Sequence, residues 1–327
     1  MRLHEDERLF GQAVIATAEM LSIPEIFIEK DYWVTCALHA IFHDPIGEQT
    51  VFKGGTALSK CFGLIERFSE DIDLVVKHDE GETDNQLKRK IKKISQVVNP
   101  LLPEVEVEGL TRKMGMNRKT AHRYPVAFDG AFGQVRNVVV VEATWFGYYE
   151  PYALQPISSY IYEMMIGRGQ EGMAILYDLL PFEVNVLELT RTLCEKIMSL
   201  VRFSYSDNPI DDLRMKIRHV YDLHKMLGDE RLSSFFDSGE FDEFICKVAQ
   251  DDVASFRNNN EWLVHHPTEA LIFKDVERCW QQLKTTYVND FSGLVYGDLP
   301  SEDDILITLM QIRERLLPVE WSVRVDS

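Results

Sequence analysis

Disulfide chemistry is the first thing this sequence lacks. Its five cysteines, Cys36, Cys61, Cys194, Cys246 and Cys279, are odd in number, widely spaced and never in a Cys-x-x-Cys pair. That excludes a disulfide framework and a zinc-ribbon type of site, and it fits a reducing cytoplasm. No apolar run approaches the roughly 18 residues of a spanning helix. The start, MRLHEDERLFGQAVIATAEML, reads as a polar stretch followed by an amphipathic helix, without signal-peptide layout. The expectation is a soluble, cytoplasmic protein with no membrane partner. Basic charge is also scarce: 35 Lys and Arg against 53 Asp and Glu give a formal charge of −18, which argues against broad, nonspecific coating of nucleic acid. Internal repeats and low-complexity segments are missing as well.

What is present is enough apolar material, 45% of 327 residues, for two ordinary domains. Periodicity predicts helices over about 8–21 and 26–43, the second with Ile26, Ile28, Tyr32, Val34, Leu38 and Ile41 in one buried stripe. A strand over 50–53, a Gly54-Gly55 turn, a helix over 56–66 and a strand over 71–77 follow, then a helix over 84–98 with its lysines outward. Residues 104–110 and 122–129 read as strands, and VRNVVVVEATWF is the most strand-like run, β-branched from Val138 to Val141. After Pro181 the texture becomes helical. Asn185 followed by Glu188 reads as a capping box opening a helix to Phe203, Pro209 and Gly228 bracket the next, and the rest to Leu317 is mostly helical. The expected division is a mixed α/β domain over 1–180 and a helical domain over 181–327. Trp33, Trp145, Trp262, Trp280 and Trp321 sit among apolar neighbours and read as packing residues, and His265-His266 lacks a third ligand at helpful spacing.

The chemistry concentrates in VFKGGTALSKCFGLIERFSEDIDLVVK, residues 51–77. Side chains alternate along a strand, so Asp71 and Asp73 share one face, between Ile72 and Leu74 on the other. Two carboxylates so close repel, and a divalent cation such as magnesium removes that repulsion. The preceding loop offers the complement: Gly54 and Gly55 permit close backbone approach, and Thr56 and Ser59 place hydroxyls at a helix opening suited to a triphosphate. A turn and a helix cap also explain the glycines and Thr56. A third carboxylate, Glu142, shares a strand face with Val138, Val140 and Thr144; it is a candidate third ligand, with a water-facing edge-strand glutamate as the rival reading. Between Gln86 and Arg136, eleven basic residues face four acidic ones, which is either a local polyanion dock or a solvated face.

Gly54-Gly55-Thr56-Ala57-Leu58-Ser59-Lys60 with Arg67-Phe68-Ser69-Glu70-Asp71-Ile72-Asp73-Leu74 closely resembles the first motif of the AbiEii/AbiGii toxin family, nucleotidyltransferases of the polymerase-β-like superfamily. IEKDYWVTCAL, residues 28–38, resembles the segment that precedes that motif. Glu195-Lys196-Ile197 and Arg218-His219-Val220-Tyr221-Asp222-Leu223 resemble the later ones, and LVYGDLP is a weaker similarity further on. The resemblance covers about residues 25–230. It implies a nucleotidyltransferase fold, α/β (α+β), with a mixed central sheet flanked by helices, followed by a mostly α-helical C-terminal domain that contributes to the nucleotide site. It also implies Asp71 and Asp73 as the metal-binding pair, with Glu142, read from its own strand, as the candidate third ligand of two Mg2+ ions; Gly55, Thr56 and Ser59 as triphosphate contacts, to which Gly54 and Ser69 are added as nucleotide-site candidates; Lys196 as a phosphate partner; and Asp222 in the last acidic position. His219 stands where that motif commonly has an aspartate.

The implied activity is transfer of a nucleotide from an NTP to an acceptor hydroxyl, plausibly of a tRNA or other RNA, with release of pyrophosphate, by the toxin of a toxin–antitoxin or phage abortive-infection pair that has a cognate antitoxin protein. Two other readings stay open on the sequence: a non-catalytic GTP- or NTP-binding protein acting through a partner, and nucleotidylation of a small molecule. Release of pyrophosphate and the nature of the labelled product separate the three.

Overall fold

The structure is a computed structural model that describes residues 1–79, 81–128, 136–145, 147–256 and 259–325. The chain divides into two compact units, residues 1–63 with 68–187, and residues 64–67 with 188–327.

The first unit is built on strands β1 (Thr50–Lys53), β2 (Asp71–Val76), β3 (Glu104–Val105), β4 (Arg112–Met114), β5 (Asn117–Arg123), β6 (Val138–Thr144), β7 (Tyr152–Ile157) and β8 (Phe182–Leu187). They form one sheet of order β3-β5-β6-β2-β1-β8-β7, with β4 paired to β5. The sheet is mixed: β2 runs parallel to β6 and β1 parallel to β8, while the other pairs are antiparallel. Helices α1 (Glu7–Leu21), α2 (Glu25–His43), α3 (Gly54–Lys60), α4 (Asp84–Val98), α5 (Tyr160–Gly167) and α6 (Glu171–Leu176) complete the unit. Ile72, Leu74 and Val75 of β2 and Val139 and Val140 of β6 are at most 1% exposed. No single described helix is long and apolar enough to cross a membrane.

The second unit is helical: α7 (Leu189–Phe203), α8 (Pro209–Met215), α9 (Ile217–Leu227), α10 (Glu230–Phe236), α11 (Gly239–Ser255), α12 (Leu271–Lys274), α13 (Val276–Thr285) and α14 (Glu302–Leu316). Trp262 and Trp280 are buried in it, and Trp321 donates its ring N–H to Leu263 O at 2.8 Å. His266 spends both ring nitrogens on Thr268 Oγ1 (2.7 Å) and Val319 O (3.1 Å).

Several expectations change. Phe182–Leu187 is a strand, so the first unit ends at Leu187 rather than near 180. Val184 and Val186 are fully buried there, and Asn185 donates Nδ2 to Gly47 O and Thr50 O instead of capping a helix. The next helix begins at Leu189, with Glu188 at its cap and no side-chain capping bond. The strand expected over 104–110 stops at Val105; pairing resumes at 112–114 and 117–123 through a two-residue loop in which Gly115 takes φ +67°. Residues 124–128 carry no strand, Pro125 offering no N–H to a ladder, and position 129 lies outside the described residues. The helix expected to reach 66 ends at Lys60, because Leu64–Arg67 belongs to the second unit, where Glu66 O accepts from Tyr296 N at 2.9 Å. The single helix expected between Pro209 and Gly228 is two, separated at Lys216.

Candidate active site

Sheet register gathers the carboxylates. Asp73 is the cross-strand partner of Glu142 on β6, Glu142 is the partner of Lys119 on β5, and Asp73 is the partner of Lys53 on β1. Residues in register project to the same side of a sheet, so four neighbouring strands present one lateral row: Lys53, Asp73, Glu142, Lys119. Asp71 stands beside the row on β2.

The glycine turn meets this row. Gly54 has φ +83°, and a Cβ on it would lie 2.2 Å from Asp73 Oδ2. Only glycine lets the backbone pass so close to the carboxylate. Thr56, 2% exposed, donates its hydroxyl to Asp71 O at 2.6 Å and has Ser69 Oγ as a second hydrogen-bond partner at 3.0 Å, and so ties the turn to β2. Ser59 Oγ lies 3.3 Å from the Tyr160 hydroxyl.

Electrostatics mark the site. Desolvation, then the charges of Asp71 and Glu142, push the Asp73 carboxyl up to about 7. Asp71 Oδ1 is buried and makes no hydrogen bond; Arg136 Nη1 lies 3.6 Å from it. Glu142 is held on both oxygens, Oε1 by Asn117 Nδ2 at 2.6 Å and Oε2 by Lys119 Nζ at 2.9 Å. Burial opposes the charge of Lys119, but Glu142 and Asp71 outweigh it and raise its pKa. Among the described residues no group of three or more His, Cys, Asp or Glu is already arranged to hold a metal ion. The donor set nonetheless suits a hard divalent cation: an oxygen of Asp71 without a hydrogen bond, and an Asp73 carboxyl whose ionisation is opposed by neighbouring anions.

Three consecutive charges on α2 frame this arrangement, and sequence reasoning gave them no role. Glu29, Lys30 and Asp31 are all buried. Glu29 accepts from the backbone N–H groups of Ala127 (2.8 Å) and Phe128 (3.2 Å). Lys30 donates to Arg136 O and Val138 O and pairs with Glu70 at 3.1 Å. Asp31 pairs with Lys60 at 2.5 Å and accepts from Tyr160 N at 2.9 Å. Burial lowers the pKa of Lys30 and raises that of Glu70. Glu70 immediately precedes Asp71 and also binds Arg136 through backbone N and Nη1, both at 3.2 Å. The sequence signal was a charged triplet inside an apolar helical stripe, where each charge requires a partner.

In the second unit, Asp222 is fully buried and takes a two-pronged contact from Arg67, Nε to Oδ1 and Nη2 to Oδ2 at 2.7 Å each. Lys196 Nζ adds a third contact to Oδ2 at 2.7 Å. Burial opposes ionisation of Asp222, but Arg67 and Lys196 outweigh it and hold the carboxyl far below the usual range. His219 Nδ1 lies 3.5 Å from Lys196 Nζ, and burial with Lys196 and Lys216 holds its pKa well below 6.5, so it is neutral. Asp222 therefore orients Lys196, and the histidine in the family's aspartate position adds no second negative charge.

The basic stretch is largely neutralised internally. Lys90 pairs with Glu82, Lys93 with Asp44, Lys113 with Glu104 and Glu106, and Arg118 with Glu104. Lys88, Arg89 and Lys92 on α4 are exposed and make no ion pair with a described residue.

A mixed sheet in which an Asp-x-Asp strand lies against a pair of glycines is the arrangement that the resemblance to nucleotidyltransferases implies. The model of the family described as nucleotidyl transferase AbiEii toxin, type IV TA system, matches residues 36–300, and the chain belongs to that family. Among solved structures, MenT4, a nucleotidyltransferase toxin from Mycobacterium tuberculosis H37Rv, is 13% identical with a TM-score of 0.46, covering 92% of this chain and 99% of its own. None of the curated proteins matches the chain.

Proposed function

We propose that this toxin transfers a nucleotide from a nucleoside triphosphate to a hydroxyl of an RNA acceptor, with release of pyrophosphate, using divalent cations held by Asp71 and Asp73 with Glu142 as third ligand. The observation that carries the reading is the close approach of the Gly54 backbone to the Asp73 carboxylate, which sets the glycines beside the Asp-x-Asp strand. Magnesium ions, two in number, would neutralise the triphosphate and favour loss of the acceptor proton. The chain's own groups do the rest. The backbone of Gly54 and Gly55, with Ser59 and Ser69, would seat the β and γ phosphates. Thr56, its hydroxyl committed to Asp71 O and Ser69, keeps turn and strand together. Lys196, which the family resemblance implies as a phosphate partner, is oriented within the second unit by the buried Asp222.

The acceptor reading rests on α4, where Lys88, Arg89 and Lys92 give an acidic protein an exposed basic face with no ion pair to a described residue. Arg118 and Lys119, which the sequence placed in the same surface, are engaged by Glu104 and Glu142. We place the enzyme in the cytoplasm with a cognate antitoxin protein as its partner. Incubation with total RNA and each labelled NTP in turn tests the reading. Label in RNA, lost with EDTA and in Asp71→Ala, supports it. Nucleotide binding without pyrophosphate release refutes it.

A further inference from the structure

We propose that Lys119 is the internal counter-cation of the carboxylate row, occupying the oxygens a divalent ion would use and leaving them when the ion binds, so that it sets the metal affinity of the site. The proposal rests on the metal role proposed for Asp71 and Asp73.

Register makes the row alternate as plus, minus, minus, plus across β1, β2, β6 and β5. Adjacent strands are about 4.8 Å apart, so Asp73 and Glu142 face each other at a separation where like charges repel, and Asp71 adds a third negative charge. Lys119 Nζ lies 2.9 Å from Glu142 Oε2 and 4.0 Å from Asp71 Oδ2, bridging two of the three carboxylates. Two cations cannot share those oxygens within a few ångströms without strong repulsion. A lysine suits the part: it is a single charge on a flexible four-carbon stem, able to swing away, where an arginine would lock both carboxylates in its fork. Arg136 is nearer to Asp71, 3.6 Å from Oδ1 against 4.0 Å between Lys119 Nζ and Oδ2, but it is bound to Glu70, whereas Lys119 is held by Glu142. The Asn117 amide holds the other Glu142 oxygen, Oε1, at 2.6 Å.

The test is Mn2+ binding by the purified full chain, read from the electron paramagnetic resonance of free ion, with and without a non-hydrolysable triphosphate. Lys119→Met is expected to bind Mn2+ about tenfold tighter than the unaltered protein or better, since a unit charge a few ångströms from the ion is removed. Lys119→Arg should bind no tighter than the unaltered protein. Lys113→Met, which removes a distant charge paired with Glu104 and Glu106, should change nothing. In thermal melts without metal Lys119→Met should unfold at lower temperature and recover with Mn2+. Lys119→Met binding Mn2+ no tighter than the unaltered protein, or failing to regain a cooperative melt with Mn2+, overturns the proposal while Asp71→Asn still loses the ion. If Asp71→Asn keeps Mn2+, the metal assignment itself fails and the role of Lys119 falls with it.

Discussion

Gly54→Ala is the smallest change that should disable the site. Its Cβ would sit 2.2 Å from Asp73 Oδ2, 3.1 Å from Cγ and 3.2 Å from Cβ, so the whole Asp73 side chain must move rather than one flexible end. The residue is also held at φ +83°, where a side chain strains the backbone by about 1–3 kcal/mol. In a unit of this size that strain lowers the melting temperature by roughly 2–12 °C. A carboxylate displaced by about 1 Å from its working position lowers turnover about a hundredfold. The assay is incorporation of labelled nucleotide beside a thermal melt. A modest loss of melting temperature with activity down a hundredfold is expected; Gly55→Ala, at a glycine without positive φ, should be milder in the melt. Gly54→Ala retaining activity within twofold would refute the close packing of turn and carboxylate.

Asp222→Ala leaves Arg67 and Lys196 buried without their anion and should cost about 3–5 kcal/mol of stability, measured by urea unfolding. Because the folded pKa of Asp222 is depressed, its stabilisation is complete above the unfolded value of about 4 and drains away as pH falls below it. Acid unfolding of Asp222→Asn should therefore show a shallower slope below that pH; an unchanged slope contradicts the pairing. Lys30→Met strands Glu70 and frees Arg136 O and Val138 O, and is expected to cost about 3–5 kcal/mol in urea unfolding and to weaken Mn2+ binding at the adjacent Asp71. Reversing Lys88, Arg89 and Lys92 to Glu should weaken RNA binding and reduce the salt slope by about 2–3, as for three lost phosphate contacts. An unchanged slope, measured by filter binding, moves the acceptor surface elsewhere.

Local pattern carried far where one element's own residues decide its structure. The stripe of α2, the β-branched run of β6 and the Asp-x-Asp alternation of β2 were all legible; the glycines were expected in a turn ahead of the helix, whereas α3 begins at Gly54 itself. What stayed hidden depends on partners distant in the chain. Phe182–Leu187 is short and sits beside a false capping pattern at Asn185; only its pairing with β1 and β7 makes it a strand. The neutralisation of the basic stretch is equally non-local, since Lys93 finds Asp44 and Lys119 finds Glu142 only through the sheet and the helix laid on it. The partners of Glu29, Lys30 and Asp31, namely Ala127, Phe128, Arg136, Val138, Glu70, Lys60 and Tyr160, could not be read from spacing. Asp222 was legible as an acid in a motif; its enclosure by Arg67, across a sequence separation of 155, was not.

The central claim is that Asp71 and Asp73 hold the cations that make nucleotide transfer proceed. Pyrophosphate release with each NTP and total RNA, compared between the unaltered protein and Asp73→Asn at matched folding, tests it directly. The account predicts Mg2+-dependent release that falls at least a thousandfold, about 4 kcal/mol of transition-state stabilisation, while the melting temperature of Asp73→Asn without metal stays the same or rises as the carboxylate repulsion is relieved. Release within tenfold of the unaltered protein, or undiminished by EDTA, would contradict it.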